Sequence, residues 1–427
     1  MTTAETVRQP GGAFSALSSR SYRIYLGGQS LANTGSWMQS IAQDWLIFSL
    51  TRSSTAVGVT IALQFGPMLL LGLYAGAVAD RLPKRRILLT TQTLNALATG
   101  ALAAVTIAGA VRPADVYVFA LLAGAIFAFD VPARQAFVTD VVPEGRLRAA
   151  ISLNAAVFQA TRLIGPAIAS LLIVSAGTGW VFAVNAACYL GPTIGLLLLR
   201  PSDLQPAKAA SRAPGAIREA VGYLWRRPNV LWTIFLVGML GTFGLNFPIV
   251  LTAMAKSAFG GNASTYGLFN IVLGLGSAAG AVLAGAGSRP KTRAIVASAA
   301  LFGVLQGTAA LAPDMAVFLS VLAAMGFVNL TCQAMANSAV QLAVEPELRG
   351  RVMGLYMLAF IGGSPVGAPI IGAITSHYGA RAGMLVCGAV PVVAACVVAA
   401  ALARGEGRRS PAAIRAGVPS ARAAAGR

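Results

Sequence analysis

Twelve runs of predominantly apolar residues, each about 20 residues or longer, follow one another along the chain. The hydrocarbon core of a bilayer is about 30 Å thick, and an α-helix needs about 20 residues to cross it. The chain is therefore predicted to be an all-α integral membrane protein with twelve transmembrane helices. The runs cover residues 22–49, 55–79, 87–110, 116–138, 150–174, 180–199, 230–254, 266–286, 294–311, 315–342, 352–375 and 382–403.

The composition excludes a water-soluble fold. Hydrophobic residues make up 56% of the 427 residues and charged residues only 11%, whereas soluble domains average about 25% charged residues. The four cysteines lie in apolar stretches without Cys-x-x-Cys spacing, so neither a disulfide framework nor a zinc site is predicted. The first, fourth and tenth runs contain several polar residues, so hydropathy alone is expected to identify them weakly.

The basic residues predict the orientation. Of the 32 Lys and Arg residues, 25 fall in the two tails and the loops after even-numbered runs, 4 in the opposite loops, and 3 inside the runs. Because basic residues collect in cytoplasmic loops, both termini are predicted to be cytoplasmic. Cytoplasmic loops and tails then explain the net charge of +19, without a nucleic-acid partner. The Ala/Gly/Arg-rich composition favours a bacterial inner membrane.

The longest loop divides the twelve runs into two sets of six. The predicted organisation is a cytoplasmic tail over 1–21, a six-helix bundle over 22–199, a linker over 200–229, a second bundle over 230–403 and a disordered basic tail over 404–427. Within the linker, residues 216–227 predict a short helix with Ile217, Val221 and Leu224 on one face. Such a helix is expected to lie on the inner membrane surface.

The two sets of six resemble each other. Pro-Glu-Gly-Arg-Leu-Arg over residues 143–148 matches Pro-Glu-Leu-Arg-Gly-Arg over 346–351, an offset of 203 positions. The same offset places Gly165-Pro166 on Ala368-Pro369. Two matches in one register indicate a duplicated six-helix unit. Parallel repeats with a binding site between them, near the middle of the bilayer, are a recurring transporter design.

Few charges lie at bilayer depth, and each is a functional candidate because burying it is costly. Asp130 and Arg134 are four residues apart, so they share a helix face and can pair. Arg162 on the fifth run is predicted at an overlapping depth and could pair with Asp130. Three roles are open for the Asp130–Arg134 pair: proton coupling, a static lock between helices, or direct substrate contact.

The repeat offset extends this comparison to the second half. It places Gln333 on Asp130 and Asn337 on Arg134, with Asn329 one turn earlier on the same face. The second half is thus predicted to keep a polar face built from amides. Titratable groups in one half alone fit a proton-coupling site on that side.

A polar stripe runs along the first predicted helix. At about 100° per residue, its five polar side chains fall within about 80° of one another; they are Gln29, Asn33, Ser36, Ser40 and Asp44. Such a stripe must face protein or water rather than lipid, which predicts a cavity lining or a helix contact. Asp44 is predicted near the outer edge, either as a proton acceptor in an outer gate or as a solvated helix end.

Three segments resemble the major facilitator superfamily. Residues 76–86 read Gly-Ala-Val-Ala-Asp-Arg-Leu-Pro-Lys-Arg-Arg and resemble its signature Gly-x-Leu-x-Asp-Arg-x-Gly-Arg-Arg. Residues 130–140 and Ile164-Gly165-Pro166 resemble the branch that contains enterobactin-exporter-like and antibiotic-efflux proteins. The resemblance implies two six-helix repeats around a central cavity.

The resemblance also implies a gate on the cytoplasmic side. The signature loop would latch this gate together with an acid at the end of the fourth helix, and the matching residues are Gly76, Asp80, Arg81, Arg85 and Asp140. Pro83 replaces the second glycine of the signature. Lys84 and Arg86 are expected to serve mainly in setting the orientation.

Gly165 and Pro166 resemble the antiporter motif of drug exporters, in which proline kinks the fifth helix by removing a backbone hydrogen bond. Ala169 and Ser170 stand where that motif has two further glycines. The resemblance therefore implies antiport and a helix kink, with weaker close packing.

These observations predict a proton-coupled exporter of a small amphiphilic compound, such as an antibiotic or a siderophore, acting as a monomer in the bilayer. Import of a small metabolite is the alternative. A membrane enzyme is disfavoured because no His/Cys/Asp cluster is present, and a passive channel is disfavoured by the duplicated halves. No phosphate-binding Gly-x-x-x-x-Gly-Lys motif appears, so the proton gradient rather than a cofactor or ATP is the expected energy source.

Overall fold

The computed structural model describes residues 15–142, 146–200, 216–285 and 291–413. Parts of the predicted N-terminal tail, linker and C-terminal tail, and residues 143–145 of the repeated motif, lie outside these ranges. The described part of the first half contains seven α-helices: α1 Arg20–Thr51, α2 Ser54–Arg81, α3 Lys84–Ile107, α4 Pro113–Val141, α5 Leu147–Ala176, α6 Thr178–Cys188 and α7 Leu190–Leu198.

The second half begins after the linker. Its helices are α8 Ala216–Arg226, α9 Pro228–Met239, α10 Phe247–Ala253, α11 Ala263–Gly285, α12 Thr292–Ala310, α13 Met315–Ala343, α14 Pro346–Gly362, α15 Ser364–Tyr378 and α16 Ala380–Ala413. Three predicted spans are each built from more than one segment: α6 with α7, α9 with α10 through a π-helical turn over Leu240–Gly244, and α14 with α15.

The twelve predicted spans are all helical. In the described part of the chain, eleven helical spans are long and apolar enough to cross a membrane. The twelfth is α1, whose 32 residues include the polar stripe and fall short on hydropathy. The expectation of weak hydropathy is therefore confirmed for the first span. The expectation is wrong for the fourth and tenth spans, which are among the eleven that are apolar enough to cross a membrane.

The structure corrects the register of the repeat within the membrane. Helices α4 and α13 each have 29 residues, and they begin 202 positions apart. Gly124 and Gly326, also 202 apart, each sit against a backbone carbonyl of the neighbouring helix, where a Cβ would collide. Gly177 and Gly379 end the next spans with the same φ of 90°. The offset of 203 holds for the loop motif and not for these helices.

This one-residue difference matters because each residue turns a helix by about 100°. At the offset of 202, Asp130 corresponds to Cys332 and Arg134 to Ala336, both buried. The predicted correspondence of Asp130 with Gln333, and of Arg134 with Asn337, is therefore wrong. The two polar rows occupy different faces of their helices.

The short linker helix forms where the sequence predicts it, and it is anchored to the second half. Glu219 on α8 pairs with Arg351 on α14, and Arg227 just after α8 lies 3.4 Å from Glu345. Leu224 is buried while Val221 is exposed. At the other end of the half, α16 continues to Ala413, so the predicted tail boundary at residue 403 is about three turns too early.

Candidate functional site

The two halves meet at one end of the molecule. We call this the far end; it carries connections 52–53 and 108–112 of the first half and 259–262 and 311–314 of the second. The opposite, basic end carries connection 82–83 and the residues Val142 and Arg146. At the far end the Thr55 backbone N–H and hydroxyl donate to Ser376 Oγ, at 3.0 and 3.1 Å. Within the described residues, every hydrogen bond between the halves lies at this end.

Asp44 takes part in this closure. Its side chain is only 5% exposed, and Tyr266 at the start of α11 donates its hydroxyl to Asp44 Oδ2 at 2.9 Å. The Tyr266 ring also stacks on Trp45, with centroids 6.5 Å apart. The alternative of a solvated helix end is therefore wrong, since Asp44 lies buried between the halves.

The halves separate towards the basic end. On the face of α5 that lies between α1 and α11, Pro166 and Ala169 are buried. Nearer the basic end on the same face, Phe158 is 45% exposed and Ile151 57% exposed. From this gradient of exposure we infer that the face lines a cavity that opens at the basic end. We call it the vestibule.

The polar stripe of α1 follows the same gradient. Asp44 at the far end is buried, Asn33 is half-buried and Ser36 is exposed, with its hydroxyl 3.4 Å from that of Tyr189. Gln29, nearest the basic end, is buried and accepts a hydrogen bond from Arg134 at 3.4 Å. Asn33 and Ser36 thus border the vestibule, whereas the ends of the stripe make contacts between helices.

The amide row of α13 borders the vestibule from the second half. Asn329 is buried, and Gln333 and Asn337 are half-buried. Gln333 donates to Asn329 at 2.8 Å. The opposite face carries the exposed apolar side chains Val317 and Leu342, which suit lipid. The partly exposed amides therefore face accessible space inside the protein.

Asp130 points away from this space. It is 1% exposed and accepts hydrogen bonds from Thr91 Oγ1 at 2.8 Å and Gln92 Nε2 at 3.0 Å, both on α3. Arg134 pairs with its other oxygen. Direct substrate contact by Asp130 is therefore wrong for this arrangement, because Arg134 and Gln29 stand between its carboxylate and the vestibule.

Arg162 does not pair with Asp130. Its guanidinium carbon lies 5.5 Å from the centre of the Trp37 ring on α1, and no carboxylate in the described part of the chain forms an ion pair with it. The predicted pairing is wrong because α3 and α4 already satisfy Asp130.

The basic end holds the residues of the predicted inner gate within the first half. Lys84 Nζ lies 2.9 and 3.0 Å from the two carboxylate oxygens of Asp140. Arg85 donates to the carbonyl oxygens of Leu196 at 2.9 Å and Leu197 at 3.2 Å, at the end of α7. Lys84 thus makes a specific contact, where the sequence suggested mainly an orienting charge.

Gly76 and Arg81, two other residues of the predicted gate, form no side-chain hydrogen bond or ion pair with the second half within the described residues. Gly76 is buried near the end of α2 and Arg81 is exposed. The side chain of Asp80 lies outside what the structure describes. The contacts of Lys84 and Arg85 therefore fasten α3 to α4 and α7, inside one bundle.

Gly165 and Pro166 lie inside a continuous α5. A Cβ at Gly165 would come 2.5 Å from Trp37 Cβ, so glycine permits the close approach of α1. Ser170 donates to the Pro166 carbonyl at 2.7 Å. Ser170 stands where the motif has a glycine, and it faces Gly267 of α11 in the opposite half. The close approach of α5 and α11 therefore depends on a glycine of α11 instead.

One polar cluster was not predicted from the sequence. Gln39 Oε1 accepts hydrogen bonds from Thr99 Oγ1 at 3.1 Å and from Asn185 Nδ2. All three residues are buried and join α1, α3 and α6. Polar residues at bilayer depth could have indicated a contact between helices. Which of them pair could not be predicted, because the three residues lie on three separate helices.

Comparison with known proteins agrees with this architecture. A family model described as a transmembrane secretion effector matches residues 11–414. The multidrug efflux pump Tap of Mycolicibacterium fortuitum is 30% identical over 389 residues, which cover 87% of this chain and 93% of that protein. The enterobactin exporter EntS of Salmonella choleraesuis is 23% identical over 328 residues, covering 76% and 78% of the two chains.

Among solved structures, an inward-facing bacterial homologue of the human lysosomal transporter Spinster superimposes with a TM-score of 0.70. It is 16% identical, and the match covers 90% of this chain and 98% of that one. This likeness concerns the fold. The family match spans both halves and all twelve predicted spans. The chain therefore belongs to the transmembrane secretion effector family of the major facilitator superfamily.

Proposed function

We propose that this membrane transporter exports a small amphiphilic compound in exchange for protons. It acts as a monomer in the bacterial cell membrane, with both termini and the basic end in the cytoplasm. In this orientation the structure represents the state that receives substrate from inside. One observation carries the proposal: the far end is closed around the buried Asp44, while the vestibule is open at the basic end.

Alternating access follows from these two features. Closing the basic end and opening the far end would require the Asp44–Tyr266 and Thr55–Ser376 hydrogen bonds to break. Each state persists only while substrate or protons bind it better than the other state. Tap and EntS are named as an efflux pump and an exporter, which supports outward transport by this relative.

Asp130 is the proposed coupling acid. It pairs with Arg134 in this state. The Arg134 side chain is 30% exposed while Asp130 is buried behind it. Protons can therefore reach the pair from the vestibule, as a coupling site requires.

The proposed cycle uses this network. Asp130 releases its proton towards the basic end, past Arg134, whose side chain is 30% exposed. Substrate then binds between the polar faces of α1 and α13. Reprotonation of Asp130 from outside weakens its attraction to Arg134 and favours release of substrate at the far end. Asp44 is positioned to bind a proton when the far end opens.

Everted membrane vesicles test the proposal. A pH-sensitive dye reports proton movement after ethidium, tetracycline or 2,3-dihydroxybenzoylglycine is added to vesicles with an acidic interior. We expect at least one compound to accumulate inside while protons leave. D130N should bind the compound but abolish uphill accumulation. The matched control is D314N, because Asp314 caps α13 at the far end and asparagine caps helices equally well.

Two results would count against the proposal. If D130N still accumulates substrate against its gradient at the wild-type rate, Asp130 is not the coupling group. If substrate moves out of the everted vesicles together with protons, the chain is an importer, and the alternative function is correct.

A further inference from the structure

Arg162 occupies a defined place on α5. One residue further, Leu163 faces Gly274 of α11; three residues further, Gly165 faces Trp37 of α1. At about 100° per residue, Arg162 lies between these two directions. Its side chain therefore points into the space between the halves.

Arg162 also lies at the closed end of the vestibule. Pro166, one turn towards the far end, is buried, and Phe158, one turn towards the basic end, is 45% exposed. Phe158 and Trp37 meet edge to face with ring centroids 5.7 Å apart. The guanidinium of Arg162 and the two rings thus form one corner of the vestibule.

The charge of Arg162 is not balanced within the described protein. Asp130 is occupied by Arg134, Thr91 and Gln92, and Asp44 is held by Tyr266. A guanidinium at bilayer depth is costly without a partner. Stacking on Trp37 supplies part of the compensation. No hydrogen bond to a described residue occupies the guanidinium nitrogens of Arg162, so they are available to bind a planar anion.

We propose that Arg162, Trp37 and Phe158 form a substrate subsite for an aromatic amphiphile that carries a carboxylate. The carboxylate binds the N–H edge of Arg162 in a bidentate manner, and the aromatic ring packs against Trp37 and Phe158. This assignment rests on the proposed function in one respect only, that the vestibule binds the transported compound. It adds that anionic compounds are preferred over neutral or cationic ones of the same ring system.

Equilibrium binding of three dansyl compounds tests the subsite. Dansylglycine carries a carboxylate, dansylamide is neutral and dansylcadaverine is cationic. Energy transfer from tryptophan to the dansyl group measures the affinity of the full chain in phosphatidylcholine nanodiscs, where no anionic lipid competes. We expect wild type to bind dansylglycine at least tenfold more tightly than the other two probes.

The variants separate the anion contact from general packing. R162Q should weaken the binding of dansylglycine about tenfold or more. Its affinity for dansylamide should stay within about twofold of the wild-type value. R162K keeps the charge but loses the bidentate geometry. Its affinity for dansylglycine should therefore lie between those of wild type and R162Q. R112Q is the control, because Arg112 lies exposed on the far-end connection between α3 and α4. Size-exclusion profiles and thermal unfolding establish that each variant is folded.

Equal affinity of wild type for the three probes would overturn the proposal. An equal loss of affinity for all three probes in R162Q or R162K would also overturn the proposal. These measurements use no proton gradient, so they remain informative if the exchange of substrate for protons is disproved. Conversely, proton-driven export of a cationic compound with no charge preference at Arg162 would uphold the proposed function and reject the subsite.

Discussion

The hydrogen bond between Tyr266 and Asp44 makes a quantitative prediction about the closed far end. The variant Y266F removes the hydroxyl that donates to Asp44 at 2.9 Å and keeps the ring that stacks on Trp45. For Asp44 as a carboxylate, this hydrogen bond contributes about 1.5–3 kcal/mol. Its loss therefore destabilises the closed state while the packing of the halves is retained.

This energy translates into a change of population. A factor of ten corresponds to about 1.4 kcal/mol, so the ratio of open to closed far ends should rise about 10- to 150-fold. A molecule that is about 1% open would become roughly 10–60% open. D44N should show a smaller shift, because asparagine can still accept the hydrogen bond but lacks the charge.

Pulsed electron spin resonance measures these populations as distances between spin labels. The labels are placed at Arg112 and Pro313, which lie on the far-end connections of the two halves and are exposed. Cys396, the exposed native cysteine among the described residues, is first replaced by serine. Wild type should give mainly the short distance, and Y266F a larger population of a longer one.

The control is Y117F, which removes a hydroxyl near the far end of α4 that forms no hydrogen bond between the halves within the described residues. It should leave the distance distribution unchanged. If Y266F and Y117F behave alike, or if Y266F narrows the distribution around the short distance, Asp44 does not help to hold the far end closed.

Two further substitutions test the packing described above. In G267A the new Cβ would lie 2.5 Å from Ser170 Cβ, so the variant should lose about 1–3 kcal/mol of stability; adding S170G should restore the melting temperature and adding S170A should not. E219Q removes the ion pair with Arg351, whose partners are 61% and 32% exposed, so thermal unfolding should change by less than about 1 kcal/mol. A larger loss would mean that α8 contributes more to the second half than a surface contact does.

The functional residues differ in how far they could be predicted. Asn33, Ser36, Gln333 and Asn337 could be assigned to an interior face because a membrane helix can place polar side chains only against protein or water. Their partial exposure and the direction of the opening could not be predicted, since both depend on how far the halves have separated. The roles in proton coupling and gating remain predictions that the experiments above address.

The partners of the buried charges required the tertiary structure. Asp130 was correctly paired with Arg134, because residues four apart on a helix are neighbours. Its contacts with Thr91 and Gln92 arise from helix packing across about 40 positions of sequence. The expected pairing of Arg162 with Asp130 failed for the same reason, since similar depth does not imply the same side of a helix.

The sequence by itself determined the helical spans, the two-half organisation and the family, because a bilayer requires long apolar segments with every backbone hydrogen bond made internally. Tertiary structure decided which faces meet. A shift of one residue rotates a helix face by about 100°, so the 203-residue offset of the loop motif misaligned the polar rows of α4 and α13. The contact of Asp44 with Tyr266 joins residues 222 positions apart, and only the docking of two bundles in one particular state brings them together.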